Sequence, residues 1–134
     1  MREDELAGQY RVPVGERDQV RAGLVIQMIA VCFGVSPDEL RTRGRLTPSG
    51  GRARRVALYL AHVGYGWPLE RLSHVFGVSR ATAGQGCRWT EDARDDPALD
   101  GLLDRLTEAV RDVCDAPRLE LAADAGLAAS AGPR

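Results

Sequence analysis

Prolines and glycines cut the middle of this 134-residue chain into short lengths, and that punctuation restricts its fold more than any other feature. Pro37 follows Ser36, Pro68 follows the "GYGW" stretch, and Pro97 follows Asp96, each where a helix can begin. Gly34 and Gly77 come directly after apolar repeats, where a helix ends. The lengths between them carry apolar residues at three- and four-residue spacing. From Arg17 to Phe33, Val20, Leu24 and Met28 repeat with Val25, Ile29 and Cys32 beside them, which predicts a core helix. Ser36 with Glu39 three residues on predicts a capping box and a short helix at 37–41. "RTRGRLTPSGG" at 41–51 reads as a mobile arginine-rich loop. "RARRVALYLAHV" resumes a helix, with Val56, Leu60 and Val63 inward and Arg52, Arg54 and Arg55 in its first turn. Further helices are expected from Pro68 to Phe76, from a Ser79 cap to about Ala93, and from an Asp96 cap through Val113.

Only 5% of the residues are aromatic while 44% are hydrophobic, a balance that favours helix packed on helix. The expected architecture is therefore all-α: one compact domain of about five to six helices, enough for a single modest core. Residues 1–16 read as a flexible lead-in, 17–115 as the domain, and 116–134, rich in Ala and Gly, as a tail. Cys32, Cys87 and Cys114 are odd in number and widely spaced, so buried reduced thiols are expected and no metal site. No stretch approaches the roughly 20 apolar residues of a membrane span, and the first residues lack the apolar core of a signal peptide. A cytoplasmic protein without membrane contact is the expectation, and nucleoid association would follow only from its charge distribution and motif.

Charge is distributed unevenly. Residues 41–90 hold nine arginines and one acid, a balance of +8, between segments that are net acidic, while the whole chain sums to −1. Every cation is arginine. A block of that density points to a polyanion-facing surface.

Within the block, "PLERLSHVFGVSRATAGQG" has helix-turn-helix spacing. Leu72 lies five residues before Gly77, Val78 follows it, and Ala83 lies six after it, the places where two such helices need small or apolar residues. Ser79, Arg80, Thr82 and Gln85 then fall on the early turns of a recognition helix, in reach of base edges, and Arg88 is better placed for the backbone. Gly84 and Gly86 each forgo about 1 kcal/mol of helix propensity relative to alanine, which predicts a less rigid reading helix.

From Val20 to Arg88 the order "VIQMIAVCFGVSPDEL", an arginine-rich loop, then "RARRVALYLAHVGYGWPLERLSHVFG" resembles the C-terminal, box-binding domain of the bacterial replication initiator DnaA, as in small alphaproteobacterial relatives that carry the domain alone. The resemblance implies a Trp-repressor-like helical domain, with a basic loop toward the minor groove and a recognition helix in the major groove. It assigns Arg41, Arg43 and Arg45 to the loop and Arg52, Arg54 and Arg55 to phosphate contact. The chain departs from the family just after the shared Phe-Gly. Where the family has Gly-Arg-Asp-His-Thr-Thr-Val or Arg-Asp-Arg-Thr-Thr-Val, it reads Val78-Ser79-Arg80-Ala81-Thr82-Ala83, so most side chains that read the initiator box are replaced.

The function expected is binding of double-stranded DNA, in regulation of replication initiation or transcription, with altered or reduced sequence specificity. The alternative is a protein-interaction regulator of the initiator machinery that has lost base reading, with the acidic, leucine-striped helix at 97–114 as its surface. An enzyme is not expected: His62 and His74 stand without a matching carboxylate or cysteine constellation, no phosphate-cradling glycine loop is present, and no cofactor is implied.

Overall fold

The computed structural model describes residues 15–41, 46–117 and 119–121. Arg43 and Arg45, most of the 1–16 lead-in and most of the 116–134 tail lie outside the described residues. Six helices follow in order: α1 (Glu16–Phe33), α2 (Pro37–Arg41), α3 (Pro48–Tyr65), α4 (Leu69–Phe76), α5 (Arg80–Ala93) and α6 (Pro97–Asp115). No strand occurs among the described residues, so the all-α expectation is met.

Helix α3 is the hub. Its run from Val56 to Ala61 is buried at every position, which a helix achieves only when neighbours surround it, and each of the other five helices packs on it. Small residues make that crowding possible. A Cβ on Gly64 would come within 2.7 Å of Val110 Cγ2, so α6 approaches α3 more closely than any larger residue allows. Arg111 on α6 donates to the Val63 carbonyl at 2.7 Å, placing a cation on the carbonyl-rich end of α3. Beyond it, His62 Nδ1 meets the Trp67 carbonyl at 2.7 Å, a bond in which the ring nitrogen donates and which fixes the chain's exit from α3.

Several sequence expectations are corrected here. The core face of α1 is Ala22, Val25, Ile26, Ile29 and Ala30, and Val20 points away with 67% exposure. At 100° per residue Val20 lies opposite Ile29's side of the helix, and apolar residues on both faces hid which would be covered. Val113, 62% exposed, likewise leaves the α6 stripe, while Leu103, Leu106 and Val110 remain buried. Of the cysteines, Cys87 alone is buried; Cys32 is exposed and Cys114 half-buried.

The capping box at Ser36 forms only in part. Ser36 Oγ accepts from the Asp38 amide at 3.1 Å, but the Glu39 carboxylate turns away and accepts from Thr47, from its amide at 2.9 Å and its hydroxyl at 2.6 Å. Thr47 then caps α3, its Oγ1 accepting from the Gly50 amide at 2.9 Å, with Pro48 in the first turn. The helix expected to begin near Arg52 therefore begins at Pro48, and the loop is correspondingly shorter. Gly50, which read as a breaker, lies inside the helix, and a Cβ there would displace the Glu39 carboxylate from its present position.

Candidate nucleic-acid interface

The turn between α4 and α5 is built by Gly77, whose φ of +68° is the left-handed conformation that side chains resist. Its amide and that of Val78 both return to the Ser73 carbonyl, closing α4. Leu72 and Ala83 are buried at the crossing of the two helices, and Val78 packs half-buried against the core. The helix-turn-helix spacing thus corresponds to a helix pair joined at those three positions. Asp18 on α1 holds the pair to the rest of the domain: it is 4% exposed and accepts from Arg71 on α4, Nη2 lying 2.8 Å from Oδ1.

Helix α5 begins with a compact cap. Ser79 Oγ accepts from the Thr82 amide at 3.0 Å and donates to the Thr82 hydroxyl at 2.9 Å, so these two candidate reading side chains spend hydrogen bonds on each other. Arg80, the first residue of the helix, is exposed. Gln85 and Arg88 share the outward face with Ala81 and Asp92, all four exposed, as spacings of three and four residues require. Ala81, Asp92 and Trp89 were not singled out by sequence. An exposed alanine carries no signal of its own, and what Trp89 touches lies 34 positions earlier.

The glycines of α5 serve unlike purposes. A Cβ on Gly86 would sit 3.1 Å from Leu58 Cδ1 and 3.5 Å from Arg55 Cα, so this glycine sets how near α5 lies to α3. At Gly84 the nearest atoms, Leu69 Cδ1 and Arg88 Nη1, would be 3.5 Å away, an ordinary contact. The helix is continuous through both. Thr90, fully buried, satisfies its hydroxyl on the Gly86 carbonyl at 2.9 Å.

The arginines divide by what they bind. Arg71 and Arg94 are consumed internally: Arg94 reaches Asp100 at 2.6 Å, Asp104 at 2.5 Å and the Tyr59 hydroxyl at 3.1 Å, while Tyr59 donates to Glu91. Among the described residues Arg52, Arg55, Arg80 and Arg88 form no ion pair. Arg55 instead stacks on Trp89, its Cζ 4.9 Å from the ring centroid. Arg52, one turn earlier on the same side of α3, lines a cleft of about 200 Å³ with Phe33, Val56, Trp89 and Leu99. Since α3 starts at Pro48, Arg52, Arg54 and Arg55 occupy its second turn and not its first, where opposition to the helix dipole has largely faded. Arg54 is half-buried, and desolvation lowers the pKa of its guanidinium. Arg41 closes α2 with its guanidinium against Gly23 on α1, and it lines a second cleft with Phe76, the last residue before the turn into α5.

Burial pushes the Cys87 thiol up to about 11, partly offset by Arg88, so it stays protonated near neutrality. Among the described residues no three His, Cys, Asp or Glu side chains stand together as a metal site, and no helix is long and apolar enough to cross a membrane. No family model, curated protein or solved structure is significantly similar to this chain.

Proposed function

We propose that the chain binds duplex DNA, with α5 as the helix that approaches the major groove and the arginines of α3 and α5 on the flanking phosphates. The observation that carries this reading is the division of the arginines. Arg71, Arg94 and Arg111 are used up in holding helices together, whereas Arg52, Arg55, Arg80 and Arg88 are left with no carboxylate partner among the described residues. Guanidinium groups without a carboxylate partner, placed around a helix pair of this spacing, suit phosphates. Arg80 and Gln85 have the side chains that hydrogen-bond guanine and adenine edges, and exposed Ala81 leaves room for close approach. The tie between Ser79 and Thr82 leaves few reading groups, in keeping with modest sequence selectivity. A role in replication initiation, or in transcription, follows from the resemblance to the initiator's box-binding domain.

Selection of bound sequences from a random duplex pool, paired with a salt titration, tests this. A consensus reading two to four base pairs and a steep salt dependence are expected. Binding that is absent at low salt ends the proposal.

A second reading, docking to a protein partner, is favoured by one feature: α6 carries an outward acidic row, with Asp104, Glu108 and Asp112 exposed. It becomes the better account if duplex binding is absent and the chain instead retains the replication initiator in a pull-down that salt disrupts.

A further inference from the structure

We infer that Trp89 is a positioning residue for DNA contact, acting through Arg55. This rests on the duplex-binding reading.

The pair is assembled by α5 from the inside. Gly86 lets the backbone of α3 approach so closely that Arg55 Cα would be 3.5 Å from a Cβ placed there. One turn on, the half-buried indole of Trp89 lies beneath the Arg55 guanidinium at 4.9 Å. Arg55 itself is exposed and has no ion pair among the described residues. A guanidinium laid on an aromatic face keeps its N–H groups pointing outward from the ring edge, free to make a bidentate contact with a phosphate. An unstacked arginine must surrender side-chain freedom when it meets a phosphate, and Trp89 removes part of that cost before DNA arrives. Arg52 borders the same indole across the cleft with Phe33 and Leu99. The inner side of α5 thus steadies the cation on α3, while its outward side, Ala81, Gln85 and Arg88, meets the groove.

An ordinary core role for Trp89 would predict loss of stability alone; the positioning role predicts a pattern in binding. In the full chain, Trp89→Leu should weaken binding to every duplex by about twofold to fivefold, the strength of an exposed cation–π pair. Arg55→Ala should do the same or more and shallow the salt slope by about 0.9, one phosphate contact. Together the two substitutions should cost no more than Arg55→Ala alone, and Trp89→Tyr, which keeps a ring, should bind within twofold of the parent chain.

Full additivity, or Trp89→Leu binding as the parent does, overturns the inference while leaving duplex binding intact. Fluorine NMR of the chain labelled with fluorotryptophan separates the two levels, because Trp67 and Trp89 give two signals. Arg55→Ala should move the Trp89 signal without DNA, and adding duplex should move it in the parent chain. A signal that responds to Arg55→Ala but never to duplex, with no salt-dependent binding, overturns the duplex reading and this inference with it. A signal indifferent to Arg55→Ala overturns the pairing itself, and this holds even if Trp89→Leu fails to fold.

Discussion

Asp18 and Arg71, 53 positions apart, form a bidentate ion pair: Nη2 lies 2.8 Å from Oδ1 and 3.0 Å from Oδ2, with Nε at 3.2 Å from Oδ2. It joins the first turn of α1 to the helix that precedes the turn, and the Arg71 guanidinium also lies over Trp67 at 5.3 Å. Removing Arg71, whose side chain is 28% exposed, leaves the 6%-exposed Asp18 carboxylate without its partner, at a cost toward the lower end of the about 3–5 kcal/mol of a fully buried pair. Arg71→Ala should therefore lower the urea midpoint sharply. Asp18→Leu combined with Arg71→Leu should recover much of the loss, since the uncompensated charge disappears with its partner. A double variant no better than Arg71→Ala would mean the site depends on the bonds and not on the charge.

The two glycines of α5 should part company under substitution. Gly84→Ala adds a methyl at ordinary contact distance and gains up to about 1 kcal/mol of helix propensity. Gly86→Ala gains the same propensity but pushes on Leu58, which is 1% exposed and has little room to yield. Overpacking of that kind costs about 1–3 kcal/mol. Thermal or urea unfolding should rank Gly84→Ala above the parent chain and Gly86→Ala below it; equal stabilisation by both would show that α3 and α5 can separate freely.

Glu39 gives a pH signature. The Thr47 hydroxyl, and then the Thr47 amide, stabilise its ionised form and hold its carboxyl below the ordinary value of 4.5. A carboxylate whose pKa is depressed by folding contributes stability that is present above the unfolded value and is lost as pH falls through the folded one. Glu39→Gln should accordingly flatten the acid limb of the stability profile below about pH 4.5 and change little at pH 7 in slope. Carboxyl NMR titration provides the direct check: a Glu39 midpoint at or above that of the unfolded chain would show the Thr47 bonds do not form in solution.

Arg80 distinguishes reading from mere attraction. If it meets guanine, Arg80→Ala should cost about 1–3 kcal/mol on a selected site and much less on random duplex. If it meets phosphate alone, both lose equally and the salt slope falls by about 0.9. Binding unchanged on every duplex would remove α5 as the reading helix.

Local chemistry was legible in the residues themselves. Gly77 and the Leu72, Val78 and Ala83 spacing announced the turn and its crossing, and Ser79 and Asp96 did cap their helices, accepting from Thr82 and Ala98. These features depend on neighbours within a few positions, so the sequence alone determines them. The start of α3 was misread because Gly50 and Gly51 look like breakers until Glu39, eleven positions before Gly50, needs the space a side chain would fill. The face of α1 was misread because apolar residues lie on both sides and only the helices packed against it, α3 foremost, decide which is covered.

The arginines give the sharpest contrast. Composition fixed a surplus of +8 between residues 41 and 90, but not which cations are spent inside the fold and which remain. Of that block Arg71 finds Asp18 and Arg55 finds Trp89, partners set 53 and 34 positions away along the chain, while Arg94, just beyond the block, finds Asp100 and Asp104. Pairing at long range depends on how helices cross, and the crossing depends on small residues such as Gly64 and Gly86 whose effect is a distance between backbones. Propensity and periodicity carry no such distance, so the local surplus of positive charge was written in the sequence, and which cations pair inside the fold was decided by packing.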